Sequence, residues 1–148
     1  MKGIIESIKS YPAKGEAGNE LAEARLIKDT GLEGDYHAKG GDRQLSLLLT
    51  DKPGKLPEQK SKGLCSNRFR ENLLLTGLSP DALRPGQCLC AGDAVIEITG
   101  RKSCHDECDL YKAGKPCPLA GRCLFARVVT GGVVRRGDGV DLGEICIQ

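Results

Sequence analysis

Apolar residues along this chain recur mainly with a period of two, the signature of half-buried strands. In Lys2–Ser10 the alternation places Ile4 and Ile8 on one face and Ile5 and Ser7 on the other. Residues 94–99, Ala-Val-Ile-Glu-Ile-Thr, alternate as well, while Leu45–Thr50 is a continuous apolar run of the length of a buried strand. Residues 87–90, Gln-Cys-Leu-Cys, suit a strand in which Cys88 and Cys90 share one face. Residues 124–130 form another strand, closed by the turn Gly131-Gly132. Val133 and Val134 resume pairing, Arg136-Gly-Asp-Gly turns again, and residues 141–147 make a last strand.

Between these strands the pattern weakens. Residues 20–29 carry Leu21, Leu26 and Ile27 and fit a short helix or a strand, and residues 31–35, Gly-Leu-Glu-Gly-Asp, read as a loop. Residues 52–63 hold two prolines, two glycines and four lysines, the composition of an exposed or poorly ordered loop. Residues 68–75 begin as a turn of helix and end as a strand, and residues 79–83, Ser-Pro-Asp-Ala-Leu, resemble a short helix capped by Ser79. Many short strands joined by glycine turns, with twenty glycines in all, predict a mainly β barrel or sandwich. No repeat or linker divides the 148 residues, so a single domain over 1–148 is expected.

Charge narrows the function classes. The net charge is +2, and the basic residues form neither a stripe nor a dense run, which argues against nucleic acid as a partner. No tract reaches the length of a membrane helix, and the N-terminus lacks the basic-then-apolar pattern of a signal peptide. A cytoplasmic protein with no membrane partner is expected. Eight cysteines are many for a reducing compartment, where structural disulfides are not expected and metal or thiol chemistry gains weight. Cys88, Cys90 and Cys146 read as small core residues.

Four other cysteines, Cys104, Cys108, Cys117 and Cys123, fall within twenty residues at the spacing C-x3-C-x8-C-x5-C. Arg101 and Lys102 stand just before Cys104, and cations favour a thiolate. All four can ligate structural zinc, although the spacing differs from the usual pairs on turns. Four thiolates also suit an iron–sulfur cluster, and Cys117-Pro118 resembles the Cys-Pro that closes some cluster sites. A resolving pair, with Cys108 or Cys117 attacking Cys104, and unligated thiols are the remaining readings.

Two further segments carry chemistry. In residues 31–38, Gly-Leu-Glu-Gly-Asp-Tyr-His-Ala, a glycine-bounded loop lets backbone N–H groups approach an anion. Asp35 and His37 suit acid–base work there, or His37 closes the loop by hydrogen bonding. Residues 68–73, Arg-Phe-Arg-Glu-Asn-Leu, bring guanidinium groups and an amide together, and with Arg43 they suit an anion. An exposed turn with solvated Arg70 and Glu71 is the alternative.

The order of these motifs resembles the MOSC family, named for the C-terminal domain of molybdenum cofactor sulfurase. It runs Gly31-x-x-Gly-Asp-x-His, Arg43-Gln-x-Ser-Leu, Arg68-Phe-x-Glu-Asn-Leu, a strand leading to Cys104, then Phe125-Ala-Arg-Val with Gly131-Gly and Gly137-Asp. The resemblance spans roughly residues 2–141 and implies a closed β-barrel with a few short helices. It implies that Cys104 carries sulfur as a persulfide or ligates molybdenum. Arg43, Arg68 and Asn72 match positions suited to the phosphate and pterin of the molybdenum cofactor (molybdopterin), with Gly34, Asp35, His37, Arg101 and Lys102 around them. Pyridoxal phosphate binding is a further association of the family. The cysteine-rich insertion at about 104–123 departs from many members and resembles a cysteine-rich, stand-alone subtype.

The function expected from this reading is molybdenum-cofactor binding with sulfur transfer. The partners would be a sulfur donor such as a cysteine desulfurase, or an acceptor molybdoenzyme. A molybdenum-dependent reductase of N-hydroxylated compounds, with its electron donor on a separate protein, is the second reading. A non-catalytic accessory module holding zinc or an iron–sulfur cluster on the four cysteines is the third.

Overall fold

The computed structural model describes residues 2–50, 69–102, 112–114 and 121–145. Strand β1 (Lys2–Ser10) organises them. It pairs antiparallel with β11 (Gly139–Ile145) through residues 2–4, with β6 (Leu73–Thr76) through residues 4–8, and with β2 (Asn19–Leu21) through residues 8–10. From β6 the sheet continues through β5 (Leu45–Thr50), β9 (Cys123–Thr130), β8 (Ala94–Arg101) and β7 (Gln87–Ala91) to β11, which returns to β1. Seven strands thus close a barrel, with no open edge along the ring. Every pair is antiparallel except β5 with β6. A second sheet joins β10 (Gly132–Arg135), β3 (Glu23–Ile27) and β4 (Gly31–Leu32). The mainly β, closed barrel implied by the MOSC resemblance is the fold observed.

Alternation fills the barrel. Leu45, Leu47 and Leu49 of β5, Leu73 and Leu75 of β6, Ile96 and Ile98 of β8, and Leu124, Ala126 and Val128 of β9 point inward and are buried. Strand β5 is buried on both faces, as its continuous apolar run predicts. Its outer face lies in a second cluster of Leu48, Phe69, Leu74 and Cys123, with Phe125 packed against it.

Several sequence expectations change. In β1 the buried pair is Ile5 and Ile8, while Ile4 is 47% exposed. A bulge between Ile5 and Ser7 opposite β6 adds one residue and reverses the alternation, so residues three apart face the same way. Of the two readings of residues 20–29 the strand is the one that holds, within β2 and β3, while Gly31-Leu32 pairs with β3 instead of looping. Residues 69–71 take no regular structure and Asn72 bends into β6, without a helical turn. Pro80–Ala82 is a single 3₁₀ turn, and Ser79 at its start makes no side-chain cap. The segment 52–63 lies outside the described residues.

Cysteine placement is corrected too. On β7 the core-facing residues are Leu89 and Ala91, so period two places Cys88 and Cys90 on the outer face. Cys88 is buried there and is disulfide-bonded; Cys90 is exposed. Neither is a small residue of the barrel core, and the expectation that structural disulfides are absent fails at Cys88. Cys146 lies outside the described residues.

Candidate functional site

The loop after β4 is built around Asp35. Gly34 adopts a φ of 88°, a left-handed conformation that a side chain disfavours, and this turns the chain so that Asp35 points inward. The Asp35 side chain is fully buried. Its Oδ1 accepts the Tyr11 backbone N–H at 2.7 Å, and its Oδ2 accepts the His37 backbone N–H at 3.0 Å. The same Oδ2 lies 2.8 Å from His37 Nδ1. Burial alone raises a carboxyl pKa, but the bonds from the His37 ring, Tyr11 N–H and His37 N–H outweigh it and hold Asp35 below its ordinary value. Asp35 is therefore ionised at neutral pH. An ionised carboxylate only accepts, so the proton of the shared bond resides on His37 Nδ1.

Aromatic rings fix the imidazole. Tyr36 lies against His37 with ring centroids 3.9 Å apart, and Tyr11 meets it edge-on at 6.3 Å. Tyr11 is itself anchored: its hydroxyl donates to the Glu71 carbonyl at 3.1 Å, and its carbonyl accepts the Tyr36 N–H at 2.9 Å. Gly18 covers this ring so closely that a Cβ there would sit 2.6 Å from Tyr11 Cε1. Burial first, and then the Glu71, Asp35 and Tyr36 charges, push the Tyr11 pKa up, with Arg70 opposing. The Arg70 guanidinium stands 5.7 Å from the Tyr11 ring centroid. It has no hydrogen-bond acceptor among the described residues.

A row across the outside of the barrel links this loop to the strand that leads toward Cys104. Asn72 donates its backbone N–H to the Ser46 carbonyl at 2.7 Å and accepts the Ser46 N–H on Oδ1 at 3.0 Å. Ser46 is in register with Phe125, and Phe125 with Gly100. The row therefore runs from Asn72 across β5 and β9 to the end of β8. Arg43, exposed at the start of β5, lies 4.5 Å above the Phe125 ring, and Phe69 packs 5.9 Å from Phe125. Residues 69–72 thus bridge the Arg43–Phe125 contact and the Tyr11–Arg70 contact.

The residues singled out in the sequence divide into three groups. Asp35 and His37 come together with Gly34 at the turn before them, and Arg43 presents a guanidinium to solvent. Asn72 and Arg101 are committed to the frame. Asn72 is fully buried and also donates to the Lys9 carbonyl at 3.1 Å. Arg101 donates to the carbonyls of Pro80 and Leu83, tying the end of β8 to the 3₁₀ turn. Lys102, half-buried, donates its backbone N–H to the Cys123 carbonyl at 2.9 Å. Arg68, Cys104, Cys108 and Cys117 lie outside the described residues. Among the described residues no group of three His, Cys, Asp or Glu side chains could hold a metal ion. Cys123 is buried in the outer apolar cluster.

The sequence motifs do not include Tyr11, and they leave Arg70 between an anion site and a solvated turn. Tyr11 ends β1, where no motif marks it; the only signal was an aromatic residue in a chain with five. Arg70 alternates with Phe69, whose burial on the outer cluster turns Arg70 toward Tyr11. Elsewhere, a shallow cleft of about 280 Å³ is lined by Leu21, Glu23, Ala24, Arg25, Glu33 and Val133, on the side of the small sheet. Neither Asp35 nor His37 lines it.

No family model and no curated protein matches this sequence. Solved structures share its fold. The YuaD protein from Bacillus subtilis superposes with a TM-score of 0.60 at 16% identity, over 95% of this chain and 94% of that one. YiiM from Escherichia coli gives 0.59 at 20% identity, over 97% and 70%. YiiM from Geobacillus stearothermophilus gives 0.62 at 22% identity, over 96% and 75%. At these identities the likeness establishes the barrel and its connectivity.

Proposed function

We propose that this chain is a stand-alone, cysteine-rich MOSC-type protein that binds the molybdenum cofactor and carries sulfur, or ligates molybdenum, at Cys104. One observation carries the reading: the described parts of three of the motifs, Gly-Asp-x-His, Gln-x-Ser and Phe-x-Glu-Asn, lie along one continuous path of the barrel. The path runs from the Gly34–His37 loop through Tyr11 to residues 69–72, then across Ser46 and Phe125 to Gly100 and Lys102. Fold likeness over nearly the whole chain supports it.

The described side chains fit an anionic cofactor. Arg43, exposed, and Arg70, half-buried, each hold a guanidinium against an aromatic ring, a donor set suited to an anion. Asn72 and Arg101 serve by holding the frame, since their polar groups already bond to backbone. When bound, the cofactor would supply the metal-centred redox or sulfur-accepting chemistry. The protein's part is to grip the phosphate with Arg43, Arg68 and Arg70, to place His37 beside it, and to present the Cys104 sulfur, with Arg101 and Lys102 preceding it. Sulfur would arrive from a separate donor of the cysteine desulfurase class and leave to an acceptor molybdoenzyme.

Metal analysis of anaerobically purified protein tests this reading. Molybdenum that is present in the wild type and absent in Cys104→Ser supports it. So does sulfane sulfur that Cys104→Ser lacks. Zinc or iron retained on the cysteines, with neither molybdenum nor sulfane sulfur, would favour the accessory-module reading instead.

A further inference from the structure

We infer that His37 Nε2 is an oriented base, which takes up a proton from a ligand presenting a weakly acidic N–H or O–H, and that Asp35 is its positioning residue. The inference rests on the loop geometry and stands whether or not the ligand is the molybdenum cofactor.

Three observations converge on it. Asp35 is fully buried and receives three hydrogen bonds, two of them from backbone, so its carboxylate cannot turn away. It fixes His37 with the proton on Nδ1, which leaves the Nε2 lone pair as the available base. Tyr36 against one face and Tyr11 at the edge hold the ring plane. His37 is nevertheless 20% exposed, and Nε2 has no hydrogen-bond partner among the described residues. A histidine that only closes a loop needs no ionised, buried partner and no ring clamp. A general base gains from both: the carboxylate selects the tautomer and stabilises the imidazolium that forms, and the rings hold its direction.

The charged and titratable surroundings are consistent with this role. Asp35 and Tyr36 belong to the same loop; Tyr11 approaches from the end of β1, with Arg70 and the Glu71 backbone behind it. Proton uptake by Nε2 converts the pair to imidazolium–carboxylate. The ligand keeps the electron pair of the broken N–H or O–H bond and becomes an anion, and Arg70, on the far contact of Tyr11, supplies a cation nearby.

The chain has two histidines, His37 and His105, so His105→Gln leaves one imidazole to observe. In that background, long-range nitrogen–proton NMR should show neutral His37 with its proton on Nδ1. Asp35→Asn should abolish that preference, and Asp35→Glu should restore it in part. Diethyl pyrocarbonate, which acylates an unprotonated imidazole nitrogen, should modify His37 at Nε2. Asp35→Asn should slow that reaction at least about tenfold, a modest part of the roughly 10²–10⁴-fold that a positioned base contributes. A proton on Nε2 in the otherwise unaltered loop would overturn the proposal without any Asp35 variant having to fold. So would equal acylation rates in Asp35→Asn and its parent, with thermal melts showing both folded. If molybdenum is absent from the protein but these results hold, the base stands and the cofactor reading falls. If molybdenum is bound and the tautomer is wrong, the reverse follows.

Discussion

The carboxylate of Asp35 accepts the backbone N–H of Tyr11 at 2.7 Å across a separation of 24 residues. This bond ties the loop after β4 to the end of β1. Both residues also touch His37, so one buried charge sets the position of a ring, a loop and a strand end together.

Acid should therefore weaken the fold through this loop. The Asp35 pKa is lowered in the folded protein, so its contribution is complete above the unfolded carboxyl value of about 3.9. It is lost as pH falls below that value and through the lower folded one. Urea midpoints measured from pH 6 down to pH 2.5 should drop in the wild type, with a shallower drop in Asp35→Asn. Asp35→Asn should also be less stable at pH 7 by about 1–3 kcal/mol, the cost of weakening bonds to a buried charged acceptor.

Alkali acts on Tyr11. Its pKa is raised by burial and by neighbouring acidic groups, so its stabilising effect is intact below about pH 10 and declines as pH rises further. Tyr11 should resist ionisation in an absorbance titration until the protein unfolds. Tyr11→Phe should remove that late step, and it should cost about 0.5–1.5 kcal/mol for the lost bond to the Glu71 carbonyl.

Asn72 should behave as a strut of the barrel. Asn72→Ala orphans the Ser46 N–H and the Lys9 carbonyl, each at about 1–3 kcal/mol. Chemical denaturation should show that loss with no ligand present. A variant as stable as the wild type would remove Asn72 from the frame.

The fold was legible because its strongest signals lie in the apolar pattern. The run in β5 and the alternation in β8 and β9 specify which side chains fill the barrel. The Ile4–Ile8 expectation failed because a bulge has no signature in the apolar pattern of one strand; it appears only against β6. Cys88 and Cys90 share one face, as their spacing predicts, but it is the outer face, because Leu89 and Ala91 take the inward one. In the site, the Gly-Asp-x-His spacing pointed to the Asp35–His37 pair. Tyr11 was not legible, nor was its meeting with Arg70, which depends on the β1 strand end reaching residues 69–72. Asn72 stands at a position of the MOSC-like motif and Arg101 just before Cys104, and the backbone acceptors that tie both to the frame lie far away in sequence.

Arg43 offers a test of grip that is separate from stability. Its guanidinium rests on Phe125 and is exposed, so Arg43→Ala should leave the melting temperature within a few degrees of the wild type. Cofactor affinity should fall by about 1.5–3 kcal/mol if the guanidinium contacts the phosphate, and less so at high salt. Titration calorimetry at two ionic strengths measures both.

The central claim is that Cys104 is the residue on which the chemistry turns. The most direct measurement is elemental and sulfane-sulfur analysis of anaerobically purified wild type and Cys104→Ser, with Cys90→Ser as the control for an exposed thiol outside the site. The account predicts molybdenum or bound sulfane sulfur in the wild type and in Cys90→Ser, and neither in Cys104→Ser. Equal molybdenum and sulfur contents in all three proteins would contradict it.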